Sequence, residues 1–243
     1  MLDGEIAASP RPLQRRQTMA PQSSKDDKTR QNFDETLHKK NVVLKEKLLD
    51  KIRLVQEDIE MSQSAVTDQA KEHISDNDLI LTYDYSETLI SFLKEAAEDI
   101  QNFEVIVCET APSFTGHKTA KELAQSKIRT SLVQDSAIFA IMSRVNKVII
   151  SPHGIMATGG VIAKSGALLI AHAARAHQVP VFIIGSMYKL TPLYPIDSLT
   201  YNELLAPSLI FRPEEGDDPT HIEAIVPAYN YIPPKLVTLV LTD

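Results

Sequence analysis

Apolar residues along this chain follow two alternating patterns. Short unbroken runs, "DLILTY" (78–83), "FEVIVCE" (103–109), "RTSLV" (129–133), "KVIIS" (147–151) and "VPVFIIG" (179–185), are separated by stretches in which apolar positions recur every three or four residues. The runs predict strands buried on both faces, and the stretches predict amphipathic helices. Helices are expected over 86–100 with Ser86 as N-cap, over 119–127, over 136–145 capped by Asp135, and over 159–177. "LVTLVLT" (236–242) reads as a last strand at a sheet edge. The alternation implies a Rossmann-like α/β domain, a parallel sheet flanked by helices.

Ahead of the sheet the pattern changes twice. Residues 1–35 are rich in Pro, Ser, Gln and charge and lack apolar periodicity, so they read as a disordered tail or linker. From Thr36 onward, Val43, Leu44, Leu48, Ile52, Val55 and Ile59 recur near helical spacing. Residues 36–76 therefore predict a helical segment whose apolar face packs on the α/β domain at 77–243.

Composition narrows the function classes. A net charge of −7 and a pI near 5.5 argue against a nucleic-acid partner, which would call for a basic face. The basic residues among 11–30 read as a solvated tail. There is no apolar stretch of membrane-spanning length and no secretory h-region in 1–35, so no membrane partner and a cytoplasmic location are expected. The single cysteine, Cys108, excludes an intrachain disulfide and a multi-cysteine zinc site. It lies inside an apolar strand and is read as a buried, inert thiol. His172 and His177 miss the i, i+4 metal spacing and no H-E-x-x-H run occurs, so neither a metal nor a cofactor is predicted.

In such sheets ligands bind beyond the carboxyl ends of the strands, here Thr82-Tyr83-Asp84, Glu109-Thr110, Asp135 and Ser151–His153. Asp84, Glu109 and Asp135 have two readings: a general acid/base set, or an exposed side chain, a loop anchor and a helix cap. "GIMATGG", with Gly159 and Gly160, is neither G-x-G-x-x-G nor a P-loop. Lys164, one turn into the expected helix, reads either as an anion contact at its N-terminus or as a solvated lysine. Thr82, Asp84, Asp135, Gly159, Gly160 and Lys164 are the candidate ligand crevice. Four residues are candidates for an interface. His117, at a helix start, reads as a cap or a partner contact. Met187, Tyr188 and Leu193 lie in the proline-punctuated "MYKLTPLYPI", which reads as an interface core or as packing over the domain's own sheet edge. Ile138, Met142 and Val145 are expected to face the sheet, leaving Phe139 on a flank.

"ILTYDYSETL", "VIVCETAPSFTGHKTAKEL", "TSLVQDSAIFAIMSRVNKVIISPHGI" and "YNYIPPKLVTLVLTD" occur in this order. Together they resemble the alpha, beta and delta regulatory subunits of the guanine nucleotide exchange factor for translation initiation factor two. "IFAIMSRVNKVII" and "MYKLTP" are most similar to the beta members. The wider family includes isomerases of methylthioribose-1-phosphate and ribose-1,5-bisphosphate. Their catalytic cysteine follows the first strand in a T-H-C-N-like run, where this chain has Asp84. Their catalytic aspartate lies in N-G-D-x-x-N-K-x-G, where this chain has Gly160, with Ala163 at the asparagine.

The resemblance thus implies a pseudo-enzyme, the exchange activity belonging to other subunits. It implies pairing with the delta subunit, assembly with the other subunits, and help in sensing the phosphorylated alpha subunit of initiation factor two. Asn77 joins the interface candidates. The alternatives are a sugar-phosphate isomerase-like enzyme and a phosphate-metabolite sensor. Full-length members carry a larger helical N-terminal domain and a longer C-terminal tail, so the chain is expected to be a C-terminal portion.

Overall fold

The computed structural model describes residues 26–194, 202–211 and 223–243. Within them the strands, in chain order, are β1 (Leu79–Tyr83), β2 (Glu104–Cys108), β3 (Arg129–Val133), β4 (Lys147–Ile150), β5 (Gly154–Met156), β6 (Val161–Lys164), β7 (Val181–Ile184), β8 (Leu190–Thr191), β9 (Tyr229–Ile232) and β10 (Leu239–Leu241). The helices are α1 (Asp26–Thr67), α2 (Ala70–His73), α3 (Glu87–Asp99), α4 (Thr115–Gln125), α5 (Ile138–Ile141) and α6 (Ala167–Ala176).

The main sheet runs β10-β7-β4-β1-β2-β3, every pair parallel, with the predicted last strand at an edge. Its strands read as unbroken apolar runs because successive side chains enter different cores. Leu81, Ile106, Val148 and Ile150 pack on one face with Ile138, Met142 and Ile170. Ile80, Val105, Val107 and Ile149 pack on the other with Leu89, Phe92, Leu93 and Leu123. Ile138, Met142 and Val145 are buried as expected, and Phe139 is exposed. Ser86 caps α3, its Oγ accepting from Leu89 N at 3.4 Å.

The structure corrects the sequence reading of the elements in three places. The helix expected over 159–177 begins only at Ala167, and 154–164 instead form an antiparallel hairpin of β5 and β6. This hairpin belongs to a second sheet, β8-β5-β6-β9. Val161 to Lys164 alternate between buried and half-buried, a period-2 pattern too short to stand out beside the helical pattern after it. Asp135 does not cap the next helix. It starts a 3-10 turn (Asp135–Ala137), and a second one (Met142–Arg144) follows α5, so the expected helix over 136–145 is broken into short pieces.

The last correction concerns α1, which begins at Asp26 rather than near Thr36. The sequence from 22 to 67 contains no proline, and Lys, Gln, Glu and Arg are good helix formers without apolar periodicity. Residues 1–25, the rest of the expected tail, lie outside the described residues. The chain divides into two units, Met1–Val55 and Gln56–Asp243. Within the first unit taken by itself, Val43, Leu44, Leu48, Ile52 and Val55 are all exposed. Apolar residues come there in adjacent groups (Val42-Val43-Leu44, Leu48-Leu49, Leu54-Val55). Leu44, Leu48, Ile52 and Val55 fall within about 80° around the helix, and Val42, Val43, Leu49 and Leu54 lie outside that stripe.

Candidate functional site

Strand order reverses between β1 and β4. From β1 the chain builds outward through β2 to β3, and from β4 outward through β7 to β10. Loops leaving the two central strands therefore diverge and open a crevice at their carboxyl ends. β1 hands over to α3 through Asp84, Tyr85 and Ser86, and β4 to β5 through Ser151, Pro152 and His153. Ser86 Oγ donates to Ser151 Oγ at 2.9 Å and ties the two loops together. The resulting cleft, of about 420 Å³, is lined among others by Asp84, Ser86, Ser151, His153, Lys164, Tyr188, Lys189 and Tyr229.

The cleft is cationic on one wall. Lys189 Nζ donates to Pro152 O at 2.8 Å and to Ser151 Oγ at 3.4 Å. Burial lowers its pKa, and among the described residues no ion pair involves it. Lys164 faces Tyr229 across the β6–β9 pair. The Tyr229 ring stacks on His153 at 4.2 Å, and burial, then Glu203 and Asp84, push its hydroxyl pKa up. Lys164 ends β6, two residues ahead of the α6 N-cap Gly166. It is not on the helix, which corrects its expected position one turn inside.

Asp84 and Asp135 are occupied as structural acceptors. Asp84 has a left-handed backbone (φ 66°), its Oδ1 accepts from Thr115 Oγ1 at 2.5 Å, and its carbonyl accepts from Thr119 Oγ1 at 2.9 Å. Asp135 accepts from Thr110 N at 3.1 Å and Ala111 N at 2.8 Å, so it anchors the loop after β2. Glu109 N donates to Val133 O, holding the end of β2 against β3. Thr82 is fully buried within β1, beneath the cleft rather than in it. Cys108 is buried and free, and burial holds its thiol well above the ordinary range, the Asp135 and Glu109 charges adding to this.

Gly159 and Gly160 form the turn of the β5–β6 hairpin and do not line the cleft. Gly159 has φ +78° and open space beside it, with Pro234 Cβ 3.8 Å from where a Cβ would sit. Gly160 is buried, and a Cβ there would run into the Tyr231 ring, 2.6 Å from Cζ and closer still to Cε2 and the hydroxyl. Of the six crevice candidates, the fold brings only Asp84 and Lys164 into one cleft.

The interface candidates do not form one patch. Asn77 precedes β1, at the end of the sheet away from the cleft, with its N donating to Asn102 O at 2.6 Å. His117 stands in the first turn of α4, its ring edge-on to Phe114 at 5.7 Å. Met187, Tyr188 and Leu193 are exposed beside the cleft, at 49%, 59% and 44%. Part of their segment does pair with its own domain, Leu190 and Thr191 lying parallel to β5 as β8. Pro195 and Ile196 lie outside the described residues. Sequence reasoning missed Lys189 and Tyr229 as cleft residues; the only signal for Lys189 is its place shortly after the end of β7.

Strand order and cleft define a Rossmann-type α/β domain with a crevice at the switch point. The chain belongs to the initiation factor 2 subunit family, matched over residues 16–243. It is 42% identical over 218 residues to translation initiation factor eIF2B subunit beta of Dictyostelium discoideum, covering 90% of this chain and 55% of that protein. It is 34% identical over 171 residues to ribose 1,5-bisphosphate isomerase of Pyrococcus furiosus, covering 70% of this chain and 53% of that one. Its fold is shared with a chain of the tetrameric eIF2B-beta2-delta2 complex of C. thermophilum, with a TM-score of 0.67 and 22% identity, covering 81% of this chain and 61% of that chain. The chain spans about half the length of the curated relatives it matches.

Proposed function

We propose that this chain is a non-catalytic regulatory part of the guanine nucleotide exchange complex for translation initiation factor two. On this reading it works in the cytoplasm and pairs with a delta-type subunit. With other subunits, it helps sense the phosphorylated alpha subunit of initiation factor two. The observation that carries the reading is the 42% identity to an eIF2B beta subunit over 90% of the chain.

The site supports the non-catalytic half. At the cysteine position stands Asp84, whose carboxylate is taken up by Thr115. At the aspartate position stands Gly160, which has no proton to give or take. The cleft with Lys164 and Lys189 is then an enzyme crevice kept as scaffold.

Two measurements test this. Incubation with methylthioribose-1-phosphate and with ribose-1,5-bisphosphate should give no turnover above background. Turnover that is lost in an Asp84→Ala variant would overturn the pseudo-enzyme reading. Co-expressed with a delta subunit, the chain should co-purify with it in a stable complex; failure to associate would overturn the assignment as its partner.

A further inference from the structure

We propose that Tyr231 is the residue that keeps a second catalytic group out of this domain. In the position it holds here, its ring fills the seat of a side chain at position 160, so a carboxylate at 160 requires the ring to leave its place. The proposal rests on the reading above in taking Gly160 as the place of a lost aspartate.

Register brings the two residues together. In the antiparallel β6–β9 pair, Tyr231 stands opposite Ile162. Gly160 lies two residues before Ile162, on the same face and diagonal to Tyr231, a separation that an aromatic side chain spans. The ring lies where a Cβ at 160 would be, with Cζ at 2.6 Å. Its hydroxyl is 3.4 Å from Thr158 Oγ1, which in turn accepts from Gly160 N at 3.4 Å.

Backbone shape does not call for glycine at this position. Gly159 and Gly166 are the glycines with positive φ among the described residues, and Gly160 is not one of them. Any residue can take its conformation, so the demand for glycine comes from the ring alone. The backbone cannot retreat either, because Gly160 O accepts from Met156 N at 2.8 Å and closes the hairpin turn. Gly159 is the converse case, with room for a side chain and a φ that disfavours one. Adjacent glycines thus stand here for different physical reasons. Loss of the acid and gain of the aromatic form one coupled change, and an Asp restored at 160 has first to displace the ring.

A double-mutant cycle tests the coupling by thermal melting of the full chain. Gly160→Asp and Gly160→Ala should each lower Tm, the former by about 5 °C or more, the scale of an overpacked core in a domain of this size. In a Tyr231→Ala background each substitution should cost far less, a coupling well outside additivity. Gly159→Ala serves as control, since its cost should be the same in both backgrounds. A Gly160→Asp variant melting within about 1 °C of wild type, or additive effects, would refute the proposal. If Gly160→Asp yields no folded protein, recovery of folded protein in Gly160→Asp/Tyr231→Ala supports the proposal, and continued failure overturns it. None of these readouts depends on isomerase turnover or delta binding, so the failure of either reading is recognisable separately.

Discussion

The Cys108 thiol and the Tyr83 hydroxyl each keep a proton that burial holds in place. Both pKa values are raised, by burial first and then by nearby carboxylates, Asp135 foremost. In the unfolded chain they ionise near about 8.5 and about 10. A raised folded pKa means that stability is complete below the unfolded value and is lost as pH rises above it. Lys189, lowered by burial, acts in the opposite sense, so the thiol has to be isolated by substitution. Urea unfolding should give a smaller free energy at about pH 9.5 than at about pH 7.5, and Cys108→Ala should narrow that gap. An unchanged gap would clear the thiol of the effect. At this scale the sequence was partly legible: an isolated cysteine in an apolar run says buried and inert. Tyr83 gave no such signal, because its hydroxyl partner, Ser165 O at 2.5 Å, lies 82 residues away.

Loops and short elements show where local pattern stops being informative. The inner strands β7, β4, β1 and β2 were readable because each buries most of both faces, whereas the edge strand β3 leaves Arg129 and Leu132 exposed. The β5–β6 hairpin was not readable, because what makes Val161–Lys164 a strand is β9, far along the chain. The cleft's tie, Ser86 to Ser151, likewise joins residues 65 apart. Asp135 looked like a cap because it precedes a helical pattern, yet it spends its carboxylate on the backbone of the preceding loop. That role has a measurable size. Asp135→Ala leaves two amides without their charged acceptor and should cost about 1–2 kcal/mol by denaturant unfolding, discounted for partial exposure. Asp135→Asn, which keeps an acceptor oxygen, should cost less. A loss for the alanine variant within about 0.5 kcal/mol, the range of an ordinary surface change, would show the anchor to be dispensable.

For the whole molecule, the question is what covers the segment after β7. Met187, Tyr188, Leu190, Leu193 and Tyr194 are exposed between 44% and 64%, although β8 ties the segment to the second sheet. Consecutive exposed aromatics and Met beside a cleft suit the core of a protein interface. The isolated chain should therefore self-associate at micromolar concentration in sedimentation, and a delta subunit should displace that contact. Tyr188→Asp with Leu193→Asp should yield a monomer with an unchanged circular dichroism spectrum. A wild-type chain that sediments as a monomer and also ignores delta would rule this interface out.

The order in which the strands enter the two sheets also sets a timetable for folding. β9 and β10 follow all the other strands in the chain, yet β9 closes on β6, formed much earlier, and β10 on β7. During synthesis the central strands can pair as they appear, while one side of β6 and the bare backbone at Gly160 wait for Tyr229–Ile232. Parallel sheets closed by distant segments fold slowly and leave unpaired edges exposed meanwhile. The chain order predicts a stage of synthesis at which the inner strands of the main sheet can pair before β9 is available to the second sheet. At that stage the unpaired side of β6 is the edge we expect to be open to wrong pairings.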